Sequence, residues 1–408
     1  MSIITIPQGY KQTNTGLIPE DWDDLSIGRL IDFEGGSQPD KRVFISQNRS
    51  GYIRLIQIRD YKSDRFEVYA PVSLMRRFCD ASDIMIGRYG PPVFQILRGL
   101  SGAYNVALIK AIPKNQMNKD FAYYFLKQDS LFEFIDKLSR RSSGQTGVDL
   151  VELKSYPLGL PPLAEQTAIA EALSDADALI ESLEQLIDKK RLVKQGAMQE
   201  LLTGKRRLPG FEGEWEVKKL GEIGNCFAGG TPSTLRDDYW GGDILWLPSG
   251  RVQNNVLHTP DESDRILTFK GLDESAARMI KKNSVLIAIT GATCANIAAL
   301  EFDASANQSV VAIEPIQGFH YRFIYYSLLM ERAQILSYQT GSAQGGVNLK
   351  AVKSLQLKLP IHTEQTAIAT ILSEMDNEIS DLEGKLEKAR QVKQGMMQNL
   401  LTGKVRLV

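Results

Sequence analysis

The sequence predicts an α+β chain: two related α/β domains separated by two long helices that pair as an antiparallel coiled coil, with pseudo-two-fold symmetry. Three observations predict it. A 49-residue segment occurs twice, at 160–208 and 359–407, offset by 199 positions without a gap and identical at 29 of 49 positions. Both copies carry an apolar heptad pattern. The stretches that precede them have diverged but keep one skeleton of short β-type runs, glycines and a helix.

The elements follow in order as a first domain at 1–158, a spacer helix at 159–207, a second domain at 208–358 and a second spacer helix at 359–408. In the domains, Trp22 with DDLSIGRLI matches Trp215 with EVKKLGEIG, and Gly35-Gly36 matches Gly229-Gly230. YIRLIQI (52–58) is matched by ILWLPSG (244–250), and DIMIGRYG (83–90) by SVLIAITG (284–291). One helix is expected near 119–140, containing FAYYFL, and one near 319–337, containing FIYYSL. SGQTGVDL (143–150) and SAQGGVNL (342–349) close the domains.

The helices carry the strongest pattern. Ile169, Leu173, Ala176, Ile180, Leu183 and Ile187 recur at alternating steps of four and three, as do Ile368, Leu372, Met375, Ile379, Leu382 and Leu386. That spacing is a coiled-coil seam. Lys190 and Lys194 interrupt the first seam and read as solvated lysines or as a patch facing a partner or DNA. Pro161, Pro162 and Pro360 stand at the helix starts, and Gly204 and Gly403 at the ends, as stop and start chemistry requires. Each helix should run about 40 residues and roughly 60 Å. In the first helix the first half is acidic (Glu165, Glu171, Asp175, Asp177, Glu181, Glu184, Asp188) and the second half basic (Lys189, Lys190, Arg191, Lys194, Lys205), a polarity that the second copy repeats with Glu387 the exception. Parallel helices would set like charge against like. Antiparallel pairing sets acid against base, so charge fixes orientation while the apolar seam supplies stability.

Composition bounds the function. An apolar fraction of 43% and a charged fraction of 24% are those of an ordinary globular protein. Three scattered cysteines give neither a disulfide framework nor a zinc pattern and suit a reducing compartment. No basic-then-apolar start suggests secretion, and the uncharged stretch 283–300 reads as strand, turn and strand, so a cytoplasmic location is expected. Net charge is −1. The first domain has 21 Lys+Arg against 18 Asp+Glu and the second 14 against 16, so a nucleic-acid partner would be held by local patches or by charge from another subunit.

No catalytic constellation emerges. Gly90-Pro91-Pro92-Val93 lacks the flanking polar and aromatic residues of an amino-methyltransferase motif and reads as a turn. Pro39-Asp40 and Glu152-Leu153-Lys154 are too far apart to count as a nuclease signature. His258, His320 and His362 are isolated, so no metal site is expected.

Over its whole length the chain resembles the specificity subunits of type I restriction-modification enzymes. The resemblance rests on the duplicated LPxxxEQTAIA…VKQGxMQxLLTGK helices, LTGKRRLPGF (202–211), GGTPS (229–233), Asp243-Ile244-Leu245-Trp246 and Ala306-Asn307-Gln308, and in the first domain on the Gly-Gly pair and SSGQTGVDL. It implies that the domains are target recognition domains, each reading one half of an asymmetric bipartite site. It also implies that the helices act as a ruler and dock two methyltransferase subunits. This chain would bind no cofactor: S-adenosylmethionine would belong to the methyltransferase subunits, and ATP and magnesium to a motor-nuclease subunit.

Base readout needs donors and acceptors at groove-facing positions. The candidates are Arg54, Gln57, Arg59, Arg88 and Tyr89 in the first domain, and Ser249, Arg251, Gln253, Asn254, Asn255, Thr290, Thr293 and Asn296 in the second. For each, the plainer role is a phosphate contact or a solvated loop residue. Trp246, Tyr123 and Tyr325 read as core. Two other functional classes compete with the leading one: a self-sufficient methyltransferase or nuclease, and a coiled-coil adaptor with no role on DNA.

Overall fold

A computed structural model describes residues 6–141, 147–261, 264–339 and 345–407. Positions 142–146 and 342–344, which include much of SGQTGVDL and SAQGGVNL, lie outside the described residues. Among the described residues no helix is long and apolar enough to cross a membrane.

The chain divides into two compact units, residues 1–184 with 385–408 and residues 185–384. Compactness therefore cuts across both long helices, Leu163–Leu201 and His362–Leu400, and each unit holds half of each.

In the first unit Ile31–Gly35, Leu108–Pro113, Ile84–Gly87 and Gln95–Leu97 form an antiparallel sheet in that order. A second sheet runs Tyr69–Pro71, Tyr52–Ile56, Gly102–Tyr104, Phe78–Cys79, with its middle pair parallel. The second unit repeats the first order and three strands of the second. Gly224–Ala228, Val310–Pro315, Ser284–Ala288 and Ile297–Leu300 gain a fifth strand, Asn255–Leu257, and Arg265–Leu267, Trp240–Leu247 and Ser305–Ala306 form the other sheet.

Where the sequence predicts one helix per domain, the structure has two in succession: Lys119–Leu126 with Asp129–Arg141, and Tyr321–Met330 with Arg332–Ser337. The break has a backbone cause. Lys127 and Glu331 sit with ψ at 2° and 12°, off the helical value. The amides of Lys127 and Gln128 reach back three residues, to Tyr124 and Phe125, instead of four.

The Gly-Gly pairs have a steric reason. A Cβ on Gly36 would lie 1.9 Å from the Asn105 carbonyl oxygen, and one on Gly229 2.2 Å from that of Ala306. These glycines let a strand end pass under the returning loop, whereas a Cβ on Gly35 would meet nothing within 4 Å. Gly36→Ala and Gly229→Ala are each expected to cost about 2 kcal/mol or more through backbone displacement. Gly35→Ala should stay within about 0.5 kcal/mol. Urea unfolding of the three variants checks this, and equal midpoints for Gly35→Ala and Gly36→Ala would refute it.

Each unit buries the start of one long helix and the end of the other. In the first, Ile169 and Leu173 pack with Leu400, Leu401, Trp22, Phe121 and Tyr124. In the second, Ile368 and Leu372 pack with Leu201, Leu202, Phe323 and Tyr326. Each such side chain contributes about 2 kcal/mol by leaving water. Further along, Ile187, Ile379, Leu382 and Leu386 are buried, and Ala176, Ile180, Leu183 and Met375 half-buried.

Polar ties show the direction of pairing. In the first unit Glu165, Asp177 and Glu184 of one helix meet Arg406, Lys393 and Arg390 beyond and within the other. As one number climbs the other falls, so the helices run antiparallel. The second unit repeats every tie at the same offset of 199 in sequence: Glu364 with Arg207, Asp376 with Lys194, and Glu383 with Arg191. Tyr124 and Tyr326 donate their hydroxyls to Asp177 (2.9 Å) and Asp376 (2.7 Å), so each lysine–aspartate pair is also anchored to its domain helix. This corrects the reading of Lys190 and Lys194. Lys190 pairs with Glu378 at 2.5 Å, and Lys194 pairs with Asp376 beneath the Tyr326 ring. Both lysines fill seam positions because an opposing carboxylate meets them there.

The duplicated EQT now has a physical cause. Glu165 and Glu364 take the arginines just described. Gln166 donates to the Pro161 (2.9 Å) and Gln116 (3.0 Å) carbonyls and accepts the Asn118 amide (2.8 Å). Gln365 does the same with Pro360 (2.8 Å), Gly318 (3.4 Å) and the His320 amide (2.9 Å). These glutamines fix the spacer helix to the loop that opens the domain helix. Past the far ends Gly204 and Gly403 adopt φ of +71° and +72°, the left-handed turn that glycine allows.

Candidate nucleic-acid interface

In the second unit the strand Trp240–Leu247 runs through Pro248 into a short 3-10 turn, Ser249–Arg251. Val252 is fully buried and pins the loop, so Gln253 and Asn254 are turned outward and Ser249 stays half-buried. Asn254 has φ +59° and accepts the Ile297 amide at 3.0 Å, and its side-chain nitrogen reaches the Asn296 amide oxygen at 3.5 Å. Asn296 also takes a 3.1 Å bond from Arg332, and Asn255 accepts the Gln253 amide at 3.0 Å. The structure thus joins the 249–255 loop to the turn carrying exposed Thr290 and half-buried Thr293. It uses the amides of Asn254, Asn255 and Asn296 to build that platform, and leaves Gln253, Ser249, Thr290 and Thr293 nearer its open side.

Arg251 and Arg54 have intramolecular partners. The sequence places both at a groove face, and the structure engages both within their own domain. Arg251 pairs with the fully buried Asp264 at 2.8 Å and with Asp261 at 3.3 Å. Arg54, on the strand Tyr52–Ile56, pairs with Asp64 and Glu67, each at 2.8 Å. Burial alone would lower the Arg54 pKa, but its hydrogen bond to Asp64 and the charges of Glu67 and Asp60 leave it raised. A carboxylate this close outcompetes solvent for a guanidinium on a half-buried strand, a partnership that strand pattern alone does not reveal.

The rest of the first-domain set lies on the segment that follows that strand or on the turn after Ile84–Gly87. Gln57 is half-buried, and its backbone amide is capped by the buried Asp60 at 2.9 Å. Burial raises the Asp60 carboxyl pKa. Arg59 is exposed, its guanidinium 5.4 Å from the Phe66 ring. Arg88 lies 5.3 Å from the exposed Tyr89 ring, and its carbonyl accepts the Val148 amide at 3.1 Å.

Sequence reasoning missed two features. Phe66 and Arg65 sit beside Arg59, and the basic residues at 59, 62 and 65 around an aromatic were a visible signal. In the second unit Arg265 stacks 3.4 Å over Trp240 and 5.9 Å from Trp246, which no local pattern announces. Among the described residues no group of three metal-ligating side chains comes together. Burial pushes the Cys79 and Cys226 thiols up to about 11, which disfavours the thiolate a nucleophile would need.

Each unit also has a groove at equivalent positions. In the first it is lined by Phe125, Gln128, Pro157, Gly159, Leu401 and Thr402. In the second, Ser327, Met330, Gln356, Lys358, Leu202 and Thr203 take those places.

Comparison with known proteins agrees with the repeat. The family model described as "Type I restriction modification DNA specificity domain" matches residues 19–189 and again 212–391. The chain is 23% identical over 440 aligned positions to the type I restriction enzyme MjaVIII specificity subunit of Methanocaldococcus jannaschii, covering 99% of both. It is 26% identical over 234 positions to the EcoR124I/EcoR124II specificity subunit of Escherichia coli, covering 55% of this chain and 56% of that one. In fold it resembles the crystal structure of the type I S subunit from M. genitalium, with TM-score 0.62, 17% identity, and 93% and 96% of the two chains covered.

Proposed function

The chain belongs to the type I restriction-modification DNA specificity family, and from that premise we propose that it reads an asymmetric bipartite DNA target for a methyltransferase complex. The observation that carries this reading is the pattern of what is repeated and what is not. The glutamate–arginine and aspartate–lysine ties of the helices recur at the 199-residue offset, while the strand-end loops differ: Arg54 with Asp64 and Glu67 in one unit, Arg251 with Asp264 and the Asn254–Asn296 platform in the other. A constant scaffold with divergent loops suits two readers of two different sequences. We assign the first domain to one half-site and the second to the other, with the paired helices as spacer.

The recurrence of a groove at equivalent positions, with Leu401-Thr402 and Leu202-Thr203 in common, supports two copies of one partner. We take those partners to be methyltransferase subunits that carry S-adenosylmethionine, with ATP and magnesium belonging to a motor-nuclease subunit. In this reading the chain itself catalyses nothing and contributes sequence choice.

The test exchanges residues 1–158 for the matching domain of a relative and maps methylation by the assembled complex. One half of the methylated site should change and the other should not. The same preparation supplies the enzyme control: the chain alone with labelled S-adenosylmethionine should transfer no label to DNA. A change in both halves, or in neither, overturns the assignment of readers, and robust transfer by the chain alone overturns the division of labour.

A further inference from the structure

We propose that Phe66 is a DNA wedge of the first recognition domain, its ring set against a base step while Arg59 and Arg65 engage phosphates on either side. The proposal rests on the specificity-subunit reading and names the part of the first domain that makes the contact. Phe66 ends a short 3-10 turn, Asp64–Phe66, which Ser63 caps by accepting the Arg65 amide at 3.2 Å. The ring is 52% exposed. A lone exposed phenylalanine is common on protein surfaces, but this one is held in an unusual setting. The Arg59 guanidinium lies 5.4 Å from the ring centre and that of Arg65 5.5 Å, and Arg59 also donates to the Phe66 carbonyl at 3.4 Å. Two cations near one ring place positive charge on its flanks.

The acids of the segment are each engaged, although the Asp64 side chain stays exposed. Asp64 and Glu67 are both paired with Arg54 from the strand beneath, and Asp60 is buried as a cap on the Gln57 amide. Arg54 offsets part of that negative charge from below, and the segment 54–67 carries four basic against three acidic side chains. Arg59, Lys62 and Arg65 then present positive charge around an apolar tip. Apolar wedges that enter base steps with basic flanks are a recurrent way to grip duplex DNA, and aromatic stacking on bases tolerates any sequence. A protein partner would favour a broader apolar patch, so duplex DNA is the occupant that the charge selects.

The test uses the assembled complex on a duplex carrying its target, with 2-aminopurine placed at successive steps of the first half-site. Phe66→Ala should weaken binding about tenfold without changing the slope of log affinity against log salt, and should abolish the rise in 2-aminopurine fluorescence at one step. Phe66→Trp should restore both. Arg59→Gln and Arg65→Gln should each reduce the salt slope by about one. Thermal midpoints of the variants establish that they fold. Wild-type affinity and fluorescence in Phe66→Ala, while specific binding persists, overturns the wedge and leaves the specificity reading intact. If the wild-type complex shows no preference for its target, the specificity reading falls as well.

Discussion

Replacing Arg406 with alanine is expected to destabilise the first unit by about 3 kcal/mol or more, the cost of stranding a buried charge. Glu165 is 1% exposed. Its oxygens take Arg406 Nε at 2.7 Å, Arg406 Nη2 at 2.8 Å and Trp22 Nε1 at 3.0 Å. Without Arg406 the carboxylate keeps the indole but loses its counter-charge in a site closed to water. Arg406→Lys should fall between, because a lysine restores charge but not the two-pronged fork. The double variant Arg406→Ala/Glu165→Gln should recover part of the loss, since an uncharged amide costs less to bury. Hydrogen exchange localises the effect: protection should fall across 1–184 and 385–408. A urea midpoint for Arg406→Ala equal to wild type would refute the lock.

The pH dependence of this lock has a definite sign. The Arg406 hydrogen bond holds the half-exposed Asp21 carboxyl below its ordinary value of 3.8. A group depressed on folding contributes stability above its unfolded pKa, and that contribution is lost as pH falls through the lowered value. Arg406→Ala should therefore flatten the acid limb of the stability curve as well as lower its plateau.

Duplicating one heptad in both helices, 183–189 in the first and 382–388 in the second, should lengthen the preferred gap between half-sites by roughly three base pairs. Seven helical residues add about 10 Å, and base pairs stack every 3.4 Å or so. The insertion repeats two seam layers, Leu183 with Ile187 and Leu382 with Leu386, and leaves the glutamate–arginine and aspartate–lysine ties of each unit in place. Methylation of targets with graded gaps gives the readout. An unchanged optimum would remove the helices as spacer. Inserting the heptad in one helix alone should instead break the register of the antiparallel ties and unfold the pairing.

Much of the scaffold was legible because its signals are local or strictly periodic. The seam shows in steps of three and four along one helix. The start and stop residues lie within one turn of the helix ends. Antiparallel pairing was legible for a related reason: acidic residues dominate the first half of each helix and basic ones the second, and only one orientation sets unlike halves together. Each domain helix reads as single because FAYYFL and FIYYSL continue in helix-forming residues, and only the backbone at Lys127 and Glu331 shows the break.

The site was less legible. Arg54 and Arg251 have the residue type and loop position of base readers, and the carboxylates that hold them, ten or more residues away, are brought against them only by folding. Asn254 and Asn296, 42 positions apart, became a platform only when two loops met.

The amino-acid order by itself determined the repeat, the two helices, their seam and their direction, since periodicity and charge polarity act between neighbours on one rod. Tertiary structure alone decided why EQT and the terminal arginines are duplicated, which lysines fill the seam, and which carboxylates engage Arg54 and Arg251. Those outcomes depend on low-dielectric contacts between residues up to 241 positions apart, where burial multiplies the strength of an ion pair and the cost of leaving one unmade.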